Sequence, residues 1–271
     1  MITVTKPTDE NYEVSVSTRP PSIYLDTWAL RLFSSDPDHR QELLTFFRAN
    51  GTLLFSLTNI LEISRITGNS AKLIRDFLAE VGEQWFPLEF NPIKVIEAEY
   101  APRSNSPCFA TSFLKAYYPF IHEGPLSLTT LIDLIHDDEI KPAVEKGIQT
   151  LTSELSHMFQ SERDLSRSNQ LEHKTSSRYS SFDPNKPAES VYKGLMELVI
   201  KENFGIDDNH VLDFCHATVS LAYGDLVLLD KHWRELARKL GIPSDHVRVY
   251  SRQQVDQFFD DIRQFEISAR N

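Results

Sequence analysis

Short apolar runs alternate with helical patterns along most of this 271-residue chain, and this alternation restricts the fold more than any other feature. Residues 22–26, 52–56, 84–88, 226–230 and 247–250 are the predicted strands, each followed by an amphipathic helical pattern. Successive strands separated by helices can pair in parallel, and such strands are apolar on both faces. We therefore predict an α/β fold: a three-layer α/β/α arrangement with a five-stranded parallel sheet and the first strand central.

The stretch 101–205 does not follow this alternation. Prolines punctuate its first part, two helical patterns follow, and no strand pattern is present. Residues 161–190 are rich in Ser, Arg, Asn and Lys, which predicts an exposed loop that is most mobile between 161 and 187. We thus expect a single domain, 1–271, whose helical insertion at about 101–205 lies beside the carboxyl ends of the strands. The polar residues 1–21 are interpreted as an arm leading into the first strand.

Composition restricts the cellular setting and the partners. The chain is 41% hydrophobic, which is enough for a full core, and has two cysteines, too few for a disulfide framework. With no apolar leader and no apolar stretch of roughly 18 residues, a cytoplasmic protein without membrane segments is expected. The net charge of -11 argues against broad electrostatic binding of nucleic acid. It remains compatible with a nuclease that relies on a metal ion and a few local cations.

Four carboxylates are predicted to meet at one edge of the sheet. Asp26 and Asp230 each end an apolar run, Glu62 lies in the helix after the second strand, and Asp213 lies early in the helix that precedes the fourth. In an open parallel sheet, ligands bind beyond the carboxyl ends of the strands. Asp225 precedes the fourth run, about 16 Å from Asp230, and is predicted to be a structural cap at the opposite edge.

Such a cluster of like charges requires compensation. Two carboxylates about 4 Å apart repel by about 4 kcal/mol at an effective dielectric constant near 20. A bound divalent cation would remove this cost. Because the ligands would all be oxygen atoms, Mg²⁺ or Mn²⁺ is expected rather than zinc.

Each carboxylate also has an ordinary structural explanation. Asp26 could be a strand-end cap, Asp213 a helix N-terminal acid, Glu62 a partner of Arg65, and Asp230 the cap of the following helix. The expected joint placement of the four favours the site over these explanations. Weaker candidates for contacts with water, phosphate or substrate, most of them better explained as caps, packed side chains or solvated charges, are Ser56, Thr58, Asn59, Arg65, His216, Lys231 and Arg234.

The order of these motifs resembles the PIN-domain nucleases. The matching stretches are 22–26, SIYLD, ending in Asp26; 56–65, SLTNILEISR, carrying Glu62; and 213–231, DFCHATVSLAYGDLVLLDK, carrying Asp213 and Asp230. The resemblance covers about 22–100 and 205–265 and leaves out the insertion. One departure is Leu228, two positions before the last acid, where the family usually has a small hydroxyl residue.

The resemblance implies a strand order of 3-2-1-4-5 and a metal-dependent nuclease, most consistent with an endoribonuclease that hydrolyses RNA phosphodiester bonds. Asp26, Glu62, Asp213 and Asp230 would then be the catalytic residues and would hold one or two Mg²⁺ or Mn²⁺ ions. RNA is the favoured substrate, with DNA left open. Bacterial members of the family are often toxins held by an antitoxin, so an antitoxin or regulatory partner, a defence role and a homodimer are further expectations.

Two other classes of protein remain open. A non-catalytic PIN-like scaffold would keep the fold for partner binding and leave the acidic edge without metal. A Mg²⁺-dependent phosphatase or phosphotransferase is the third reading. Against it, the chain has no Gly-rich phosphate loop, and Asp26 is followed by Thr27 and Trp28 rather than by a second aspartate two residues on.

Overall fold

A computed structural model describes residues 2–8, 11–101, 107–111, 124–125, 127–135, 140–169, 182–202 and 207–270. Its strands are β1 Ile2–Thr8, β2 Asn11–Val16, β3 Ser22–Leu25, β4 Thr52–Ser56, β5 Trp85–Leu88, β6 Gly124–Pro125, β7 Leu226–Leu228 and β8 Arg248–Tyr250.

The helices flank these strands, and one 3-10 turn, Arg252–Gln254, follows β8. They are α1 Thr27–Ser35, α2 Pro37–Ala49, α3 Leu57–Ser64, α4 Gly68–Val81, α5 Pro92–Glu99, α6 Leu128–Ile135, α7 Ile140–Asn169, α8 Pro187–Lys201, α9 Asp208–Tyr223, α10 Lys231–Leu240 and α11 Val255–Arg270. In the part of the chain that the structure describes, none of them combines the length and the apolar character needed to cross a bilayer.

The predicted α/β fold with a five-stranded parallel sheet is confirmed. The strands lie in the order β5-β4-β3-β7-β8, and every neighbouring pair is parallel. Every residue of β3, β4, β5 and β7 is buried, as expected when helices cover both faces of a sheet. The central strand β3 has β4 on one side and β7 on the other, so the carboxyl ends of these three strands are adjacent.

Helix α1 is an element that the sequence pattern did not indicate. The helical sequence pattern that follows the first strand begins at Asp36, but α1 already begins at Thr27, directly after the strand end, and α2 then begins at Pro37 with Asp36 as its cap. Ala29, Leu30 and Phe33 of α1 are buried in the core. The chain therefore turns from strand to helix at Asp26 without a connecting loop.

The interpretation of residues 1–21 as an arm was wrong. β1 and β2 form an antiparallel pair, and β1 also pairs with β6, so a second, three-stranded sheet has the order β2-β1-β6. The β-branched residues of this segment suit a strand. Ile2 is buried, and Val14 and Val16 pack against the core, which ties the sheet to the rest of the molecule.

The insertion is helical over most of its described residues, with two corrections. β6 is a short strand within it, and Phe109 forms an isolated antiparallel bridge with Leu88. The loop expected at 161–190 is also partly wrong, because α7 continues to Asn169 and α8 begins at Pro187. Residues 170–181, the centre of the expected mobile stretch, lie outside the described residues.

The insertion packs on the two helices that carry Glu62 and Asp213. α6 contacts α3, while α7 and α8 contact α9. Within these contacts Phe159 of α7 meets Phe214 of α9 edge to face, with ring centroids 4.6 Å apart. Buried side chains of the insertion join those of the parallel sheet in one hydrophobic cluster. The insertion thus supports the helices that position the predicted acidic residues.

Candidate active site

Asp26 lies at the carboxyl end of the central strand. Its backbone N–H donates to the carbonyl of Leu228 at 3.1 Å, which extends the β3–β7 pairing by one residue. Its Oδ1 accepts from the Thr27 N–H at 2.6 Å and caps α1. Asp26 is therefore both a helix cap and a carboxylate at the predicted edge.

Glu62 lies in α3, the helix after β4, close enough to Asp26 for its charge to raise the pKa of that aspartate. A capping box formed by Ser56 and Asn59 fixes the start of α3, and Glu62 lies in its second turn. The Thr27 hydroxyl donates a hydrogen bond to Glu62 Oε2. In the described structure no ion pair joins Glu62 to Arg65, so the alternative explanation for Glu62 does not hold here.

Trp233 joins the remaining two carboxylates. Its backbone N–H donates to Asp230 Oδ1 at 2.9 Å, which makes Asp230 the cap of α10. Its side chain lies close enough to Asp213 to lower the pKa of that carboxyl. Asp213 is in the second turn of α9 and is not the helix-terminal acid, because Asp207 caps that helix. One tryptophan thus connects the helix before β7 with the helix after it.

The raised pKa values of Asp26 and Asp213 indicate that the four carboxylates share one electrostatic environment. Burial raises the pKa of Asp26 to about 8, helped by the charges of Glu62, Asp213 and Asp230 and opposed by the Thr27 N–H. Burial also raises the pKa of Asp213 to about 6, with Glu62 and Asp230 adding to the effect and the Trp233 side chain opposing it. A carboxylate responds in this way only to charges that lie nearby in a poorly solvated region.

Tyr24, the residue two before Asp26, responds to the same charges. Its ring is fully buried, and burial together with the charges of Asp26 and Glu62 raises its pKa well above the ordinary value. The Asn59 side chain donates to its hydroxyl at 3.3 Å and opposes part of this rise. The negative field of the cluster therefore extends into the sheet.

The chemistry of the four side chains fits a divalent cation, although their present arrangement does not yet enclose one. Among the described residues, no three His, Cys, Asp or Glu side chains are placed so that they could hold a metal ion as they stand. Asp26 and Asp230 use Oδ1 for capping and Glu62 uses Oε2 for Thr27. Each keeps a second carboxylate oxygen without a hydrogen bond in the described structure. All the donors are oxygen atoms, as Mg²⁺ and Mn²⁺ prefer.

The polar residues at the end of β4 serve the structure. Ser56 and Asn59 cap α3, and the Ser56 hydroxyl lies 2.7 Å from that of Thr58. Thr58 in turn contacts Nε2 of His216. His216 is 3% exposed and burial lowers its pKa, so it is a neutral, packed side chain. These residues hold the elements beneath the carboxylates in place.

Asp225 lies at the opposite end of β7, as expected. Its Oδ2 accepts from the N–H of Ser22, the first residue of β3, at 2.5 Å. Its own N–H donates to the Ser22 carbonyl at 2.8 Å. It therefore ties the amino ends of two strands together and takes no part in the cluster.

The candidate cationic side chains differ in their ion pairing, their exposure and the cavities that they line. Arg234 pairs with Glu235 at 2.9 Å and lines a cavity of about 540 Å³ between α10, β8 and α11 that none of the four carboxylates borders. Arg65 and Lys231 are exposed. Lys231 borders a smaller cavity of about 280 Å³ that Asp230 also lines. The smaller cavity is the one that adjoins the acidic edge.

Thr27 and Trp233 were missed as site residues by the sequence analysis. Thr27 directly follows Asp26, and Trp233 is three residues after Asp230, where a helix cap finds its backbone donor. These positions predict contacts with the two aspartates themselves. The links to Glu62 and Asp213 depend on the packing of distant segments, which no local pattern indicates.

A scan of the chain against protein-family models gave no match, and searches against curated proteins and solved structures gave no significant match. The likeness to PIN-domain nucleases therefore rests on the residues and the geometry described above.

Proposed function

We propose that this chain is a PIN-like, metal-dependent nuclease that hydrolyses RNA phosphodiester bonds internally. The observation that carries the proposal is the electrostatic coupling of Asp26, Glu62, Asp213 and Asp230 beyond the carboxyl ends of β3, β4 and β7. Strongly raised carboxyl pKa values in such a location are typical of functional sites. A structural network would be expected to pair these charges with Arg or Lys. In the described structure no Arg or Lys forms an ion pair with the four carboxylates, and their hydrogen-bond donors are backbone N–H groups and a hydroxyl.

The sheet topology also supports a PIN-like fold. When the five parallel strands are numbered by themselves along the chain, the order β5-β4-β3-β7-β8 becomes 3-2-1-4-5. This is the order that the resemblance implies. Asp26 then lies on the first strand of the five and Asp230 just beyond the fourth, the two neighbours on which the motif places its acids.

The four carboxylates would hold one or two Mg²⁺ or Mn²⁺ ions through the oxygens that do not take part in capping. Held there, such a cation would supply two effects: a lower pKa for the attacking water and stabilisation of the negative charge that develops on the phosphate. Asp26 and Asp213 must lose their protons before they can bind a cation, so cation affinity should rise with pH. The Thr27 hydroxyl orients Glu62 within the cluster.

An assay of cleavage on mixed RNA and DNA substrates tests this proposal. We expect RNA cleavage by the purified protein with Mn²⁺ and none with a chelator. Asp26→Asn and Asp213→Asn should abolish the activity while the protein stays folded. Full metal-dependent cleavage by both variants would refute the catalytic assignment.

A non-catalytic PIN-like scaffold is the second candidate, and one observation favours it. Asp26, Asp230 and Glu62 each already accept a hydrogen bond from the protein, and no three ligands converge in the described structure. Binding of Mn²⁺ separates the two candidates. A parent protein that neither binds Mn²⁺ nor cleaves any nucleic acid would be a scaffold.

A toxin or defence effector controlled by an antitoxin is the cellular role that we propose for the nuclease. The family resemblance is its support. Expression of the parent chain should then arrest bacterial growth, and expression of Asp26→Asn at the same level should not. Equal growth in both cases would argue against a toxin and leave the nuclease assignment to the cleavage assay.

A further inference from the structure

A cavity of about 280 Å³ adjoins the carboxylate cluster on the side of β8. It is lined by Trp28, Asp230, Lys231, Ser251, Arg252 and Gln253. These residues come from the first turn of α1, the start of α10 and the turn after β8. Because Asp230 belongs to both the cavity and the cluster, a molecule in the cavity lies directly beside the proposed point of cleavage.

Trp28 is the aromatic side chain in the wall of this cavity. The chain has three tryptophans, and Trp85 and Trp233 are 0% and 3% exposed, whereas Trp28 is only partly buried. The indole Nε1 of Trp28 is buried and has no acceptor among the described residues. A buried donor without a protein partner is unusual in a native protein, and among the residues that line this cavity only Trp28 carries one.

Lys231 and Arg252 supply positive charge to the same cavity. Both are exposed, and no ion pair within 4 Å is present for either in the described chain, although the charge of Lys231 helps to lower the pKa of Glu235. The larger cavity near β8 is different, because its Arg234 pairs with Glu235 and its Arg248 pairs with Asp261. In a chain with a net charge of -11, two unpaired cations beside an acidic cluster indicate an anion that binds there.

An aromatic surface together with cations is the combination that binds one nucleotide of a single strand. Bases stack on aromatic side chains whatever the sequence, and Lys and Arg contact the phosphates. The volume lies near the lower end of ligand pockets, which span roughly 300 to 1,000 Å³. It therefore suits one unstacked base rather than a base pair.

We propose that this cavity binds one nucleotide of single-stranded RNA next to the phosphodiester bond that is cleaved. The base stacks on Trp28, and Lys231 and Arg252 contact the adjacent phosphates. This inference rests on the proposed nuclease function. It adds that the substrate is single-stranded and that recognition at this position is independent of base identity.

Binding measured in chelator tests the subsite apart from cleavage. A short single-stranded RNA should bind the parent and quench tryptophan emission, since Trp28 is the most accessible of the three indoles. Trp28→Ala should weaken binding about tenfold, and Trp28→Phe should restore most of the affinity without the quench. The double variant Lys231→Ala, Arg252→Ala should also bind about tenfold more weakly and show a smaller salt dependence.

The matched control removes two cations from the far end of the same helix. Arg238→Ala, Lys239→Ala loses the same charge and should bind RNA within about twofold of the parent. Duplex RNA should bind far more weakly than the single strand, and single-stranded DNA should show the same dependence on Trp28. No binding by the parent, an unchanged affinity of Trp28→Ala, or equal losses in the two double variants would overturn the subsite.

The outcomes also separate this inference from the proposed function. Mn²⁺-dependent cleavage by the parent, with Trp28→Ala binding and cleaving as well as the parent, overturns the subsite alone. Trp28-dependent binding without cleavage under any metal condition overturns the nuclease assignment and supports a single-strand-binding site.

Discussion

The two ends of β7 show how one residue type is used in two different ways. At the amino end, Asp225 accepts a hydrogen bond from the Ser22 N–H. Burial raises the pKa of Asp225, and the Ser22 N–H and the charge of His246 oppose this rise. At the carboxyl end, Asp230 caps α10 but lies among three further carboxylates. Both aspartates have a backbone donor, so the difference lies in the neighbouring charges.

This comparison distinguishes a structural carboxylate, Asp225, from the carboxylates that we propose to be functional. A single buried acid is stabilised once it has a donor. Here the charges of neighbouring acids raise the pKa values of Asp26 and Asp213 beyond what burial alone does, and the few neutral donors do not offset this rise, so the arrangement costs stability. An arrangement of this kind is expected to persist where it serves a function.

The largest expected difference between the two ends is in activity. Asp26→Asn and Asp213→Asn should each reduce metal-dependent RNA cleavage by more than about a hundredfold, because losing even a residue that only supports a ligand costs 10 to 100-fold. Asp225→Asn removes the same charge at the other edge and should stay within a few-fold of the parent. Comparable losses in all three variants would erase the distinction between the two edges.

The next effect is the pH dependence of stability in chelator. In the folded protein the pKa values of Asp26 and Asp213 are about 8 and about 6, whereas an unfolded Asp titrates near 3.9. Between about pH 4 and pH 8 the folded state therefore holds protons that the unfolded state has released. Its free energy of unfolding should fall as the pH rises through this window.

Asp26→Asn should remove most of this dependence. Asn keeps the cap on Thr27 and has no charge, so the free energy of unfolding at pH 8 should increase by about 2–4 kcal/mol relative to the parent, with little change at pH 4. Denaturant titrations of the parent and the variant at the two pH values measure this change in the free energy of unfolding. A parent that becomes more stable from pH 5 to pH 8 in chelator would contradict the electrostatic description of the cluster.

A smaller effect is expected at the amino end of β7. Asp225→Ala leaves the Ser22 N–H without its acceptor and should cost about 1–3 kcal/mol of stability, whereas Asp225→Asn retains an acceptor and should cost less. Neither change should alter the affinity for Mn²⁺. An Asp225→Ala protein that is as stable as the parent would show that this hydrogen bond does not join the strands as described.

The smallest effect separates the two roles of Asp230. Asp230→Ala removes the cap of α10 and should lower stability by about 1 kcal/mol, while Asp230→Asn keeps the cap. Both should reduce cleavage similarly, because both remove the charge. Equal stability of the two variants would mean that Asp230 is not an effective cap, and retained activity in Asp230→Asn would remove it from the cluster.

Much of the parallel sheet was predictable because its strands are continuous apolar runs followed by helical patterns. The edge that carries Asp26 and Asp230 followed from their positions after those runs. Helix α1 was missed because it begins at Thr27 with no loop, and its cap, Asp26, is also the first candidate acid. The β1–β2 pair was missed because its support is nonlocal: β1 also pairs with β6, more than a hundred residues away.

The prediction of a loop at residues 161–169 was wrong for a different reason. Their charged and polar side chains suit the solvated part of a long helix as well as a loop. Buried Ile148, Leu155 and Phe159 anchor α7, and the helix continues beyond them with Leu165 56% exposed. In the site, the Thr27–Glu62 hydrogen bond and the proximity of Trp233 to Asp213 depend on tertiary packing and could not be inferred from spacing.

Binding of Mn²⁺ at pH 8, followed by calorimetric titration, tests the central claim most directly. We expect the parent to bind one or two Mn²⁺ ions and the double variant Asp26→Asn, Asp213→Asn to bind none, while Asp225→Asn binds as the parent does. The same titration at pH 5 should show weaker binding, because both carboxyls then hold protons. A parent without measurable affinity for Mn²⁺, or a double variant that binds it equally well, would contradict the assignment of these carboxylates to a metal site.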